Sequence, residues 1–142
     1  MIIRRALITD IFELSRSWLE MAKEADTSLT PNLEMWRGYI ADLMAYKGYF
    51  MFVAEDDNRI VGFIDYAMQA EPGKGIWQAV INYFYVVPEY RGIASGKLWK
   101  AATESAKSNN AKEFFSFCYP DKLEFWEKHG FKQECLTIRK VI

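Results

Sequence analysis

The chain has 142 residues, of which 51% are hydrophobic and 26% charged, and its formal net charge is -1 at pH 7. This length fits one domain spanning 1–142, because two shorter domains would each struggle to bury a stable core. The balanced charge argues against a nucleic-acid-tracking protein, and no run reaches the ~18 apolar residues of a membrane-spanning helix. The sequence contains neither a signal peptide nor a metal-binding His/Cys cluster, so we expect a cytoplasmic protein without a metal.

The first half of the chain predicts a short strand, two helices and a hairpin. Apolar residues recur at helical spacing in two segments, and the strand-like runs that follow are separated by turn residues. In chain order we expect a strand at 1–6, a helix capped by Thr9 or Asp10, a helix starting at Thr30 and Pro31, and hairpin strands at 49–54 and 60–64.

The second half alternates strands with helices. We expect a strand at 76–87 that stops at Pro88, a helix at 93–108, a strand at 114–119, a short helix ending at Gly130, and one or two closing strands within 131–142. Hairpins followed by strand–helix–strand crossovers are typical of a mixed sheet with helices on both faces. The fold class is therefore α/β (α+β), with six or seven strands and about four helices.

The turn after Pro88 has the composition of an anion-binding site. A strand ends there and a helix begins at once, which brings free N–H groups and the positive end of the helix dipole together. Small residues leave room for a bulky anion and basic residues add charge: Gly92, Ala94, Ser95 and Gly96, with Arg91 and Lys97. The spacing fits neither the Walker pattern nor the dinucleotide fingerprint. A plain strand-to-helix connection is the alternative at this point.

The same turn carries a resemblance to a known family. The segment VVPEYRGIASGKLW, at 86–99, resembles motif A of the GNAT superfamily of N-acetyltransferases, and LEFWEKHGF, at 123–131, resembles its later helix-to-strand segment. VAEDDNRIVGF, at 53–63, looks like the family's hairpin. The resemblance covers essentially the whole chain. It implies a strongly twisted sheet splayed between the fourth and fifth strands, and transfer of an acetyl group from acetyl-CoA to a primary amine of a small molecule or protein.

The resemblance also implies where acetyl-CoA binds. The backbone of the fourth strand would line the pantetheine arm, the Val86 N–H would polarise the thioester carbonyl, and the following turn would hold the pyrophosphate. Tyr119 stands where the family often has an Asn that bonds the arm. The residues carried over by position are Phe84, Tyr85, Val86, Arg91, Gly92, Ile93, Ala94, Ser95, Gly96, Lys97 and Tyr119.

The sequence offers several candidates for the acid that would protonate the leaving thiolate. The family usually has a Tyr at the position of Trp126, and an indole N–H is no practical proton source. Tyr119 or Tyr85 could take that role, as could water. The alternative interpretation makes Trp126 a buried aromatic residue at helical spacing from Leu123.

The general base is open as well, because the fourth and fifth strands contain no carboxylate at the expected place. Asn82 or Tyr83 could orient a water that accepts the proton. Asp65, Glu20 and Glu24 are the other carboxylates to consider, and for Asp65 we expect a solvated strand face.

His129 is expected to cap a helix C-terminus, and Cys118 and Cys135 to be small buried or partly buried side chains. By the family's geometry, the acceptor would dock over 24–36 and the loop 71–75. The competing hypothesis is a catalytically weak acyl-CoA-binding or protein-interaction module on the same fold, and a homodimer is left open.

Overall fold

The computed structural model describes residues 1–26 and 28–142. The strands are β1 (Ile2–Arg5), β2 (Tyr49–Asp56), β3 (Arg59–Glu71), β4 (Ile76–Val86) and β5 (Ala111–Ser116). The helices are α1 (Ile11–Ala25), α2 (Leu33–Met44), α3 (Arg91–Ser108) and α4 (Leu123–Lys128). Short 3₁₀ turns precede α1, α3 and α4.

The strands form one mixed sheet in the order β1-β2-β3-β4-β5. The first four are antiparallel neighbours, and β5 lies parallel to β4 after the crossover through α3. The β2–β3 hairpin turns at Asp57 and Asn58, whose φ angles of 52° and 58° suit a tight turn that matches the twist of the strands. The predicted order from β1 to α4 and the mixed sheet are confirmed.

The prediction of closing strands within 131–142 is wrong, so the sheet of the described residues has five strands rather than six or seven. This segment contains no helix or strand, and a groove of about 770 Å³ separates it from β5. A strand needs a neighbouring strand whose backbone groups pair with its own N–H and C=O groups. This segment makes no such hydrogen bonds to β5. Its apolar side chains accordingly stay exposed: Leu136, Ile138, Val141 and Ile142.

Helices cover both faces of the sheet. On one face α1 and α2 pack Leu14, Trp36 and Ile40 against the sheet in one buried cluster. On the other face α3 buries Leu98 and Ala102 in a second cluster. The sheet between the clusters places alternate residues of β3 and β4 on opposite faces, which decides the surroundings of each residue in the candidate site.

The predicted start of α2 is wrong in detail, whereas Asp10 is the N-cap residue of α1, as one of the two predicted alternatives. Helix α2 begins at Leu33, and its cap is Asn32, whose side chain accepts the Met35 N–H at 2.9 Å. The Asp10 carboxylate accepts the Leu7 N–H and makes no hydrogen bond to an N–H of α1. Asn and Thr are both good N-cap residues. Cap preference alone therefore does not decide between Thr30 and Asn32, and the backbone conformation at Asn32 does.

No helix within 1–26 and 28–142 is both long and apolar enough to cross a membrane. The same ranges contain no group of three or more His, Cys, Asp or Glu side chains arranged to bind a metal ion.

Candidate acetyl-CoA site

The carboxyl end of β4 diverges from β5. The two strands pair from Trp77 opposite Ala111 to Ile81 opposite Ser116. Beyond Ile81, residues 82–86 of β4 have no strand partner on that side in the part of the chain that the structure describes. A gap therefore opens between the strands directly before the turn that contains Pro88.

A β-bulge marks the start of this divergence. Ile64 pairs with Phe84 and Tyr66 with Ile81, so Asp65 alone lies opposite two residues of β4, Asn82 and Tyr83. An extra residue of this kind bends the strand and increases its twist. The bulge thus lies at the point where β4 turns away from β5.

Two amides of β4 point into the gap. The Val87 N–H donates to the Val61 carbonyl at 2.9 Å. Because hydrogen-bonded and non-bonded pairs alternate in an antiparallel ladder, the pairs opposite Phe84 and Val86 are non-bonded, and their N–H groups face away from β3. The backbone groups of Tyr85 face β3 instead. The structure thus differs from the prediction for Tyr85, whose backbone does not line the gap.

The first turns of α3 leave open space beside the gap. A Cβ built on Gly92 or Gly96 meets no atom within 4 Å. Ala94, where the family pattern has Gly, is fully buried in the α3 core cluster, so its methyl group points away from any ligand in that space.

The donors available to an anion at this helix start are fewer than the sequence suggested. The preceding 3₁₀ turn already uses the Arg91 N–H, which donates to the Pro88 carbonyl. The amides of Ser95, Gly96 and Lys97 lie far enough into α3 to belong to its own hydrogen-bond ladder. By this pattern the donors left in the first turn are those of Gly92 and Ile93.

The Arg91 side chain is bound within the protein. Its Nε donates to the Val86 carbonyl at 2.9 Å, and its Nη2 donates to Glu24 Oε2 at 2.6 Å. The hydrogen bond from Arg91 lowers the pKa of Glu24, and this pair links the end of α1 to the gap. Lys97, in contrast, is exposed.

A cavity of about 80 Å³ lies where the gap meets α3 and α4. Trp126 is half-buried there and packs edge-on against Phe84, with ring centroids 6.4 Å apart. This packing fits the interpretation of Trp126 as an aromatic core residue, although the ring is only half-buried and also lines the cavity. The cavity is lined by Phe84, Ser95, Gly96, Trp99, Phe125, Trp126 and His129.

The four residues expected to act in catalysis are not all brought together. Asn82 and Tyr83 share the bulge, Asn82 being exposed and Tyr83 half-buried against the α1–α2 cluster. Trp126 packs on the opposite face of β4, with the α3 cluster. Tyr119 is 52% exposed and does not line the cavity. The catalytic role of each remains a prediction.

Asp65 contradicts the expectation of a solvated strand face. Its side chain is 0% exposed, and it accepts a hydrogen bond from the Tyr83 N–H at 2.6 Å and another from the Tyr49 hydroxyl. Burial raises the pKa of Asp65 to about 7, although these hydrogen bonds oppose the rise. The available signal was a single carboxylate in the apolar run IVGFIDYAM at 60–68.

Of the remaining expectations, the one for His129 agrees with the structure and the one for the two cysteines does not. His129 follows α4 and its Nδ1 lies 2.8 Å from the Phe125 carbonyl, as a helix-capping role requires. Cys118 and Cys135 are both exposed, so their expected burial is wrong, because each lies in an irregular segment bordering the groove beside β5.

The region expected to dock the acceptor flanks the gap only in part. Within 24–36, Thr27 lies outside the described residues, and Glu24 is bound to Arg91. The turn 71–75 is held to β5 by Lys74, whose Nζ is 3.0 Å from Glu113 Oε1.

Comparison with known proteins identifies the family of this chain. A model of the acetyltransferase (GNAT) family matches residues 9–131. The chain belongs to the GNAT family. No protein with curated annotation is similar enough to this GNAT chain to give a match.

Solved structures share the GNAT fold at low sequence identity. A predicted acetyltransferase from Clostridium acetobutylicum, solved with acetyl-CoA, is 22% identical with a TM-score of 0.79 over 97% of this chain and 95% of its own. A ribosomal-protein-alanine N-acetyltransferase from Brucella melitensis biovar Abortus 2308 is 15% identical with a TM-score of 0.76 over 100% of both chains. Glucosamine-6-phosphate N-acetyltransferase from Arabidopsis thaliana is 16% identical with a TM-score of 0.75 over 99% of this chain and 97% of its own.

Proposed function

We propose that this GNAT protein is an acetyl-CoA-dependent N-acetyltransferase that acts on a primary amine. The observation that carries the proposal is the gap between β4 and β5, into which the N–H groups of Phe84 and Val86 point. Open space beside Gly92 and Gly96 adjoins this gap at the start of α3. A relative of the same fold was solved with acetyl-CoA, which supports the same ligand here.

Acetyl-CoA supplies the activated acetyl group, and the chain supplies binding and orientation. The two inward N–H groups are placed to bond the pantetheine arm, and Val86 to polarise the thioester carbonyl. The amides of Gly92 and Ile93 are placed for the diphosphate. No covalent bond to the protein is needed, because a neutral amine can attack the thioester directly.

We assign proton transfer to the residues predicted to act in catalysis. In this proposal Asn82 and Tyr83, at the bulge, orient a water that removes the proton from the amine. Tyr119 is the candidate proton donor to the leaving thiolate, and Trp126 walls the site. The thiol pKa of about 8.5 makes the leaving group undemanding.

The proposed acceptor is a small molecule or a protein. One relative of this fold is a ribosomal-protein-alanine N-acetyltransferase, another acts by its name on glucosamine-6-phosphate, and both are under 25% identical to this chain. The net charge of -1 favours such acceptors over nucleic acid. We propose that residues 1–142 act in the cytoplasm as one domain, without a metal or a membrane; a homodimer fits this proposal equally well.

Binding is tested by adding a carboxylate to the open space. Gly96→Glu should abolish binding of CoA in calorimetry, because the new charge would repel the diphosphate. Gly38→Glu is the matched control, since Gly38 lies on α2, is exposed and also has no atom within 4 Å of an added Cβ. Equal CoA affinity in wild type and Gly96→Glu would refute the site.

Catalysis is tested by turnover of acetyl-CoA with a panel of amines and peptides. Two observations favour the alternative of a weak acyl-CoA-binding or interaction module: Trp126 stands in place of the family's Tyr, and Tyr119 does not line the cavity. CoA binding without turnover on any amine would support that module, whereas amine-dependent thiol release would support the enzyme.

A further inference from the structure

Asp65 is the only buried charged residue among those that the structure describes. It lies on β3 between Ile64 and Tyr66, whose side chains belong to the α3 cluster. The Asp65 side chain therefore points to the opposite face, toward α1 and α2. An ionisable group at such a position is costly to bury unless it makes specific hydrogen bonds.

The Asp65 carboxyl group accepts hydrogen bonds from the bulge of β4 and from the start of β2. Oδ1 accepts the N–H of Tyr83, one of the two bulge residues, at 2.6 Å. Oδ2 accepts the hydroxyl of Tyr49 at the start of β2. The bulge takes Tyr83 out of the regular register with β3, so the carboxyl group provides the acceptor that the ladder would otherwise supply.

The bulge in turn decides which way the end of β4 faces. Ile81 and Phe84 both lie in the α3 cluster although they are three positions apart, whereas Tyr83 and Tyr85 lie with the α1–α2 cluster. In an unbroken strand, residues three apart would face opposite sides. The extra residue therefore places the Phe84 ring in the wall of the cavity.

We propose that Asp65 is a positioning residue: its carboxyl group holds the bulge of β4 and thereby keeps the gap beside Phe84 and Val86 in the shape that binds the thioester arm. The inference rests on the proposed function, because it assigns a role toward that ligand. Asp65 itself has no exposed surface and does not touch a substrate.

Three variants test whether CoA affinity depends on the hydrogen-bond acceptor that Asp65 provides or on its charge. Asp65→Asn keeps an oxygen for the Tyr83 N–H, so its CoA affinity in calorimetry should stay within about twofold of wild type. Asp65→Leu has a similar shape and no acceptor, so its affinity should fall by about tenfold or more. Tyr49→Phe is the control, since it removes the other hydrogen bond and leaves the bulge bond, and its affinity should be unchanged. A folded Asp65→Leu with wild-type affinity would overturn the proposal, as would equal losses in Asp65→Asn and Asp65→Leu.

Amide hydrogen exchange on the wild-type protein gives a second test that does not depend on how any variant folds. The Tyr83 amide should be protected before any ligand is added, because it is bonded to Asp65. The amides of Phe84 and Val86 should exchange quickly and become protected when CoA is added. Fast exchange of Tyr83 in the free protein would overturn the role of Asp65. Failure of CoA to protect Phe84 and Val86 would instead count against the proposed function.

Discussion

Replacing Asp65 by Asn should change how the stability of the protein depends on pH. The pKa of the buried carboxyl group is about 7, against an ordinary value of 3.8, because burial disfavours its charged form. Since the folded state keeps the proton longer than the unfolded state, stability is lost as the pH rises from 3.8 toward about 7. Between about pH 5 and about pH 8 this single group removes about 2–3 kcal/mol from the free energy of unfolding. Asp65→Asn has no such loss.

Urea unfolding at the two pH values measures the effect. The difference in unfolding free energy, Asp65→Asn minus wild type, should become more positive by about 2–3 kcal/mol between about pH 5 and about pH 8. Tyr49→Phe is the companion variant, because loss of its hydroxyl removes a hydrogen bond that lowers the pKa of Asp65. Its pH-dependent loss of stability should therefore continue to a higher pH than in wild type. A pH-independent difference between wild type and Asp65→Asn would show that the pKa of Asp65 is the same in the folded and the unfolded protein, and it would refute the reasoning.

Three other outcomes are expected from the same structure. Gly62→Ala should cost about 1–3 kcal/mol in urea unfolding, because a Cβ there would lie 2.9 Å from Val86 Cγ2 and 3.0 Å from the Tyr85 carbonyl oxygen. Gly38→Ala, in open space on α2, should instead stabilise by about 0.5–1 kcal/mol; a loss at both glycines would refute the steric account. Tyr119→Phe should lower kcat more than CoA affinity if its hydroxyl donates the proton, and unchanged turnover would remove it from the mechanism. Finally, kcat/KM should rise from about pH 6 to about pH 9, since an alkyl amine with a pKa of about 10.4 is increasingly neutral over that range; a flat profile would contradict rate-limiting deprotonation.

The parts of the fold that were predictable depend on neighbours close in sequence. The stripe containing Leu14 and Trp18 has helical spacing and lies on α1, and the turn residues at 57–58 join the two strands of a hairpin. Strand β4 ends at Val86, one residue before its predicted end at 87, and Pro88 follows as the predicted stop. In these segments the local pattern and the tertiary packing agree, so the pattern is sufficient.

The closing strands were not predictable because a strand depends on a neighbour that its own sequence does not encode. Residues 131–142 contain β-branched and apolar residues, yet only Phe131 packs against the core, where its ring lies 4.9 Å from that of Trp126. The nearest strand is β5, which faces residues 131–137 across the groove without pairing to them. Strand propensity is a preference for a pleated, half-buried surface, and without that surface it has no effect.

One part of the candidate site depends on residues close in sequence, and the other part depends on pairing between distant strands. The turn from Pro88 to Gly96 is visible in the sequence because its glycines and its helix start are adjacent along the chain. The shape of the gap is not, since the bulge depends on the register between β3 and β4 and on a carboxylate 18 residues before its partner Tyr83. A single-residue change of register reverses every later side chain of a strand. The turn alone therefore does not fix the shape of the gap, which depends also on the bulge opposite residue 65 and on the length of β4 up to Phe84.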